Sequence, residues 1–145
     1  NTYRFIKSVF YRRLQMIEDL LDLGPLINEA MNAKVGATTA TPADLVKRVI
    51  ELNHEKGMRL QEEILRFRPK LIINQVRTQA DIDIGFSMKS ICKKYFGINL
   101  DYVGYLEYDS SVWQSVKKRQ PLLMEFPNSR LVSNFDRIVQ KLLMG

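Results

Sequence analysis

The chain's only imidazole is His54 and its only thiol is Cys92. Nucleophilic catalysis needs a Ser, Cys or Thr activated by a base that a third group orients. His54 stands in the polar run Asn53-His54-Glu55-Lys56 at a helix junction, where exposed capping is the structural alternative to a catalytic role. Cys92 follows Ile91 within a helical pattern, and a free thiol filling core space is the alternative to reactivity there. The remaining acid–base candidates are Glu62 with Glu63 and Asp81 with Asp83, but residues one or two apart on a helix point in different directions. One cysteine excludes an intrachain disulfide, and one histidine leaves no Cys/His zinc constellation. Both features fit a reducing cytoplasm. Phosphate binding of the P-loop kind needs clustered glycines followed by Lys and Ser or Thr, and none of the seven glycines falls in such a cluster. The chain by itself is therefore not expected to hydrolyse a nucleotide.

Any such chemistry must be positioned by 145 residues, enough for one domain. With 46% hydrophobic and 26% charged residues, global disorder is excluded. Lys plus Arg number 22 against 16 for Asp plus Glu, a formal charge of +6 that favours acidic surfaces without choosing one. The basic clusters are Arg12-Arg13, Arg66 with Arg68 and Lys70, and Lys117-Lys118-Arg119. They lie among acids or at helix ends, so solvated faces are favoured over a nucleic-acid path. No apolar stretch approaches the roughly 18 residues that span a bilayer.

Ile6, Phe10, Leu14, Ile17 and Leu21 form a helical stripe, with Gly24-Pro25 as its expected stop. The phase begins almost at Asn1, as if the chain entered partway through an element. A shorter helix is expected from Leu26 to Ala33, then a polar link from Gly36 to Thr41. Thr41-Pro42 reads as an N-cap and first helical position, with Leu45, Val46, Val49, Ile50 and Leu52 on a buried face. A further helix is expected from Glu55 to Phe67. Leu71-Ile72-Ile73, ending in Asn74 and Val76, reads as a strand buried on both faces. A helix from Asp81 to Phe96 stopped by Gly97 and a strand from Tyr102 to Leu106 complete a β-α-β unit, which implies parallel pairing. Asp109 or Ser110 caps a helix to Lys118, Pro121 and Pro127 bracket a loop, and Ser129 caps a last helix to Met144. Leu131, Phe135, Ile138 and Leu142 lie on one face of that helix, for core burial or for rest on anionic lipid. Two doubly buried parallel strands alone leave unpaired edges, so a larger sheet or pairing between copies is expected.

From Pro69 onward the order of landmarks is more specific. Pro69-Lys70-Leu71-Ile72-Ile73-Asn74-Gln75-Val76-Arg77 resembles the Asn-terminated strand of MinD/ParA-type ATPases. Leu100 to Asp109 resembles the next strand and its nucleotide-side loop, followed by Gln120-Pro121-Leu122 and Pro127-Asn128-Ser129. The resemblance is closest to the FlhG-like branch and is specific over about half the chain. It implies an α/β fold: the C-terminal portion of a mostly parallel P-loop NTPase sheet, helix-rich, with about two parallel strands and five or six helices. Residues 1–29 would be the helix after the switch II strand, 30–68 a helical insertion and 69–145 the adenine-side part.

By the same resemblance, Asn74 would meet the adenine edge with its paired donor and acceptor. Glu107, Tyr108 and Asp109 would border the base at the carboxyl end of the second strand. Glu107 stands where members commonly carry Pro, and Asp109 has helix capping as its structural alternative. The parent would bind ATP and Mg²⁺, dimerise and act in spatial positioning such as flagellar placement or partitioning. It would do so in the cytoplasm, with a protein partner and peripheral contact at the inner membrane face, and without nucleic acid. The segment alone would bind neither ATP nor Mg²⁺ tightly. The alternative from another class is a noncatalytic helical module binding protein, nucleic acid or an anionic membrane surface.

Overall fold

The stripe from Ile6 to Ile17 does form a helix: in the computed structural model, which describes residues 2–32 and 41–144, α1 spans Thr2–Leu21. Ile6, Phe10, Leu14 and Ile17 are all buried, and each such side chain contributes roughly 1.5–3 kcal/mol on leaving water. The helix stops earlier than Gly24-Pro25. Asp22 turns into the left-handed region at φ 51°, and the Leu23 amide donates back to the Glu18 carbonyl at 3.0 Å. Gly24 and Pro25 instead open α2, Gly24–Asn32, because proline's missing N–H costs nothing in a first helical turn.

The predicted link from Gly36 to Thr41, except Thr41 itself, and the end of the predicted second helix at Ala33 lie outside the described residues. Among the described residues there are eight α-helices and two strands, more helices than the five or six expected. Part of the difference is α7, Leu122–Glu125, formed within the predicted Pro121 to Pro127 loop with Pro121 at its start. No described helix is long and apolar enough to cross a membrane.

The chain divides into two compact units, Asn1–Pro69 with Ser90–Leu100 and Lys70–Lys89 with Asp101–Gly145. In the first, α3 (Pro42–Leu52) begins at a reciprocal capping box. The Asp44 amide donates to Thr41 Oγ1 at 3.2 Å, and the Thr41 amide donates to Asp44 Oδ2 at 3.0 Å. Val46 and Val49 are buried as expected, but Leu52 is exposed. Asn53 caps α4, His54–Arg66, leaving His54 as an exposed first helical residue. Gly57 permits the approach of α3 to α4, since a Cβ there would fall 2.4 Å from Ile50 Cα. The end of α5 (Gln79–Ile91) continues into a π-helical turn, Cys92–Phe96, closed by Gly97 at φ 70°. Phe96 meets Phe10 at 5.1 Å between ring centres, and Cys92, Ile98 and Leu100 are buried.

The second unit holds β1 (Lys70–Val76) and β2 (Asp101–Glu107), which pair in parallel through the start of α5. The parallel pairing agrees with the expected β-α-β unit. Burial on both faces does not: Leu71 and Ile73 are half-buried, while Ile72 between them and Asn74 after them are exposed. A strand with one neighbouring strand keeps much of its surface open, whatever its side-chain types. Beyond β2 lie α6 (Ser111–Lys118), α7 and α8 (Arg130–Met144). On α8, Leu131 and Ile138 are buried with Asn134 between them, whereas Leu142 is exposed.

Candidate functional site

At the carboxyl ends of β1 and β2 a cavity of about 620 Å³ is lined by Asn74, Gln75, Leu106, Glu107, Tyr108 and Asp109, with Trp113, Leu131 and Phe135 among the apolar remainder. All four residues singled out by resemblance therefore share one cavity. Crevices at the carboxyl ends of parallel strands are where open α/β sheets bind ligands.

Two local distortions aim these residues. Ile73 is paired with Tyr105 and Val76 with Glu107, so Asn74 and Gln75 stand opposite Leu106 alone, a β-bulge. Gln75 enters the left-handed region at φ 59°, a conformation that costs a non-glycine residue roughly 1–2 kcal/mol. Asn74 Oδ1 accepts the Gln75 amide at 2.9 Å and so steadies that bend. An amide oxygen has a second lone pair, and the Asn74 amino group brings two donors.

The loop after β2 is tied at every residue. The Glu107 amide donates to Asn134 Oδ1 at 2.9 Å, from within α8, and its carboxylate faces Arg130 at 3.9 Å. The Tyr108 amide donates to the Val76 carbonyl at 2.8 Å, extending the parallel ladder by one bond. Asp109 accepts the Ser111 amide at 2.8 Å and the Ser129 hydroxyl at 2.7 Å, and Ser129 Oγ in turn accepts the Leu131 amide at 3.1 Å. The carboxylate thus joins the starts of α6 and α8. The Ser111 amide, followed by the Ser129 hydroxyl, holds the Asp109 carboxyl below the usual aspartate range.

The strand-to-helix connection on the other side is equally constrained. Asp81 accepts the amides of Arg77 and Thr78, both at 2.9 Å, while its own amide donates to Thr78 Oγ1 at 3.3 Å. Those bonds, the Arg77 amide foremost, lower the Asp81 carboxyl from its ordinary value. They make Asp81 a capping residue, and Asp83 accepts from Gln79 instead. The Arg77 guanidinium lies 3.9 Å from the centre of the Tyr108 ring.

Arg77, Gln75, Trp113 and Asn134 carry parts of this site that the sequence reading left unassigned. Asn134 had a visible signal, a polar residue on the otherwise apolar stripe of the last helix. Gln75 had none, because its residue type does not favour the backbone it adopts.

The basic clusters are largely engaged. Arg13 and Arg66 both reach Glu63, Lys118 pairs with Glu125, and Lys117 lies 5.0 Å from the Trp113 ring centre. Cys92 is fully buried, and desolvation pushes its thiol up. No group of three His, Cys, Asp or Glu side chains arranged for a metal occurs among the described residues. Comparison with family models, curated proteins and solved structures gave no match.

Proposed function

We propose that this chain is the adenine-side segment of a MinD/ParA-type ATPase of the FlhG-like branch, its parent acting in spatial positioning such as flagellar placement or partitioning. One observation carries the reading: Asn74, Glu107, Tyr108 and Asp109 meet in a single cavity at the carboxyl ends of two parallel strands. The cavity suits a flat heteroaromatic base, with an apolar floor and a carboxamide that can both donate and accept at its edge.

The donor set does not suit the rest of a nucleotide. The described residues offer no clustered metal ligands, and the sequence has no glycine-rich phosphate cradle. On this reading phosphates and Mg²⁺ belong to an upstream loop of the parent, a homodimer in the cytoplasm with peripheral contact at the inner membrane face. Asp109 then works through the loop it ties down, since both carboxylate oxygens are engaged by Ser111 and Ser129.

The test is direct. The purified chain is expected to show no magnesium-dependent ATP turnover and weak, saturable binding of adenosine, which Asn74→Ala weakens further. Turnover by the chain alone would overturn the division of labour, and adenosine binding indifferent to Asn74→Ala would overturn the base assignment.

A helical interaction module is the second reading, favoured by exposed Val112, Trp113, Val116, Leu123 and Met124 on α6 and α7. Binding of an acidic partner that falls steeply with salt and survives Asn74→Ala would select it.

A further inference from the structure

Tyr108 is the candidate base-site residue whose ring is covered by a cation from outside the cavity lining. Its amide is fixed to Val76, but the residue is 52% exposed. What covers it is Arg77, 3.9 Å from the ring centre and not itself part of the cavity lining. The guanidinium is planar and stacks on aromatic faces, which a lysine ammonium does not do.

Arg77 is in turn set in place by its backbone. Asp81 Oδ2 takes the Arg77 and Thr78 amides at 2.9 Å each, as part of the box that starts α5. Two residues earlier, the left-handed Gln75 forms the bulge that sets Val76 opposite Glu107. A bulge, a strained residue and a capping box are thus spent within the seven residues from Gln75 to Asp81, and their joint product is an arginine laid on the ring that walls the cavity. Strain of this kind gathers where geometry serves binding.

We propose that Arg77 is a positioning residue of the base site: stacked on Tyr108, it holds that ring as a wall against which a purine base stacks. The proposal rests on reading the cavity as a base site. It supplies a physical source for the preference for adenine over a pyrimidine: the larger ring system of a purine overlaps more of the Tyr108 face. Arg77 reaches the ligand only through Tyr108.

Trp113, the chain's single tryptophan, lines the same cavity, so its emission reports occupancy. Adenosine and cytidine, which carry no phosphate for an arginine to attract, are titrated into the 145-residue chain and its variants. Adenosine is expected to change Trp113 emission saturably and to bind more tightly than cytidine. Arg77→Ala should raise the adenosine dissociation constant about three-fold or more, with Arg77→Lys in between. Tyr108→Ala should weaken binding at least as much, narrow the adenosine–cytidine difference and leave nothing further for Arg77→Ala to remove.

Wild-type affinity in Arg77→Ala, with Tyr108→Ala and Asn74→Ala both weakened, would refute the proposal and leave the base site standing. Full additivity of the Arg77 and Tyr108 effects would refute it equally. No saturable response in the wild-type chain would remove the base site and the proposal together. Thermal melts accompany each variant; if Arg77→Ala loses its fold, Arg77→Gln, which keeps planarity without charge, takes its place in the same cycle.

Discussion

Asn134 is the most informative residue to perturb, because its buried carboxamide holds the backbone at Glu107, where the segment to Asp109 begins. Its side chain is 3% exposed, and its Oδ1 accepts the Glu107 amide at 2.9 Å. Asn134→Leu keeps the branched skeleton and removes the acceptor, leaving a partly buried N–H without its partner. An orphaned donor costs about 1–3 kcal/mol, and burying leucine in place of a carboxamide returns part of that. A net loss of about 1–2 kcal/mol is expected, lowering Tm by roughly 4–8 °C for each kcal/mol in a unit of this size. Asn134→Ala adds the cost of a small void and should fall at the upper end.

Thermal unfolding followed by far-ultraviolet circular dichroism and by Trp113 emission gives the stability, and adenosine titration of the same variants gives the consequence for the cavity. Tyr108 follows Glu107 directly, so binding should weaken in step with stability. An Asn134→Leu variant as stable as the parent chain, with unaltered adenosine binding, would refute the claim that α8 holds this loop through that bond.

Other expectations follow from individual contacts. Gly57→Ala should destabilise by about 0–2 kcal/mol in denaturant titration, toward the upper end because the clash is with the backbone of Ile50: overpacking costs about 1–3 kcal/mol, offset by nearly 1 kcal/mol of helix propensity. A stabilised Gly57→Ala variant would count against the close α3–α4 approach. Cys92, buried and with its thiol pushed up by desolvation, should resist an aromatic disulfide reagent at neutral pH until denaturant is added. Asp44, Asp81 and Asp109 all titrate below the ordinary aspartate range when folded, through hydrogen bonds at helix starts. The stability they give is complete above the unfolded-state aspartate pKa and is lost as pH falls through the lower folded values. Melting temperature measured from pH 6 down should therefore drop in the acid range, and the drop should shrink in Asp109→Asn.

Much of this molecule was legible residue by residue. The helical stripe of α1, the Thr41-Pro42 start of α3, the left-handed Gly97 and the strand–helix–strand order of β1, α5 and β2 all follow from short-range rules of spacing and capping. So does Cys92 as core filler. These features depend on neighbours within a few positions, and the sequence states those neighbours outright.

Tertiary structure decided the rest. Gly24-Pro25 reads as a stop and serves as a start, because Asp22 takes the left-handed turn first. The apolar run of β1 reads as doubly buried, yet burial is a property of what lies on each face, and Ile72 is open. That Asn74 and Tyr108 share a cavity depends on a bulge at Gln75 and on pairing between segments some thirty residues apart, which no local preference encodes. The Arg77–Tyr108 stack and the Asn134–Glu107 bond belong to the same category: each joins residues remote in sequence, and only the folded chain brings their atoms within reach.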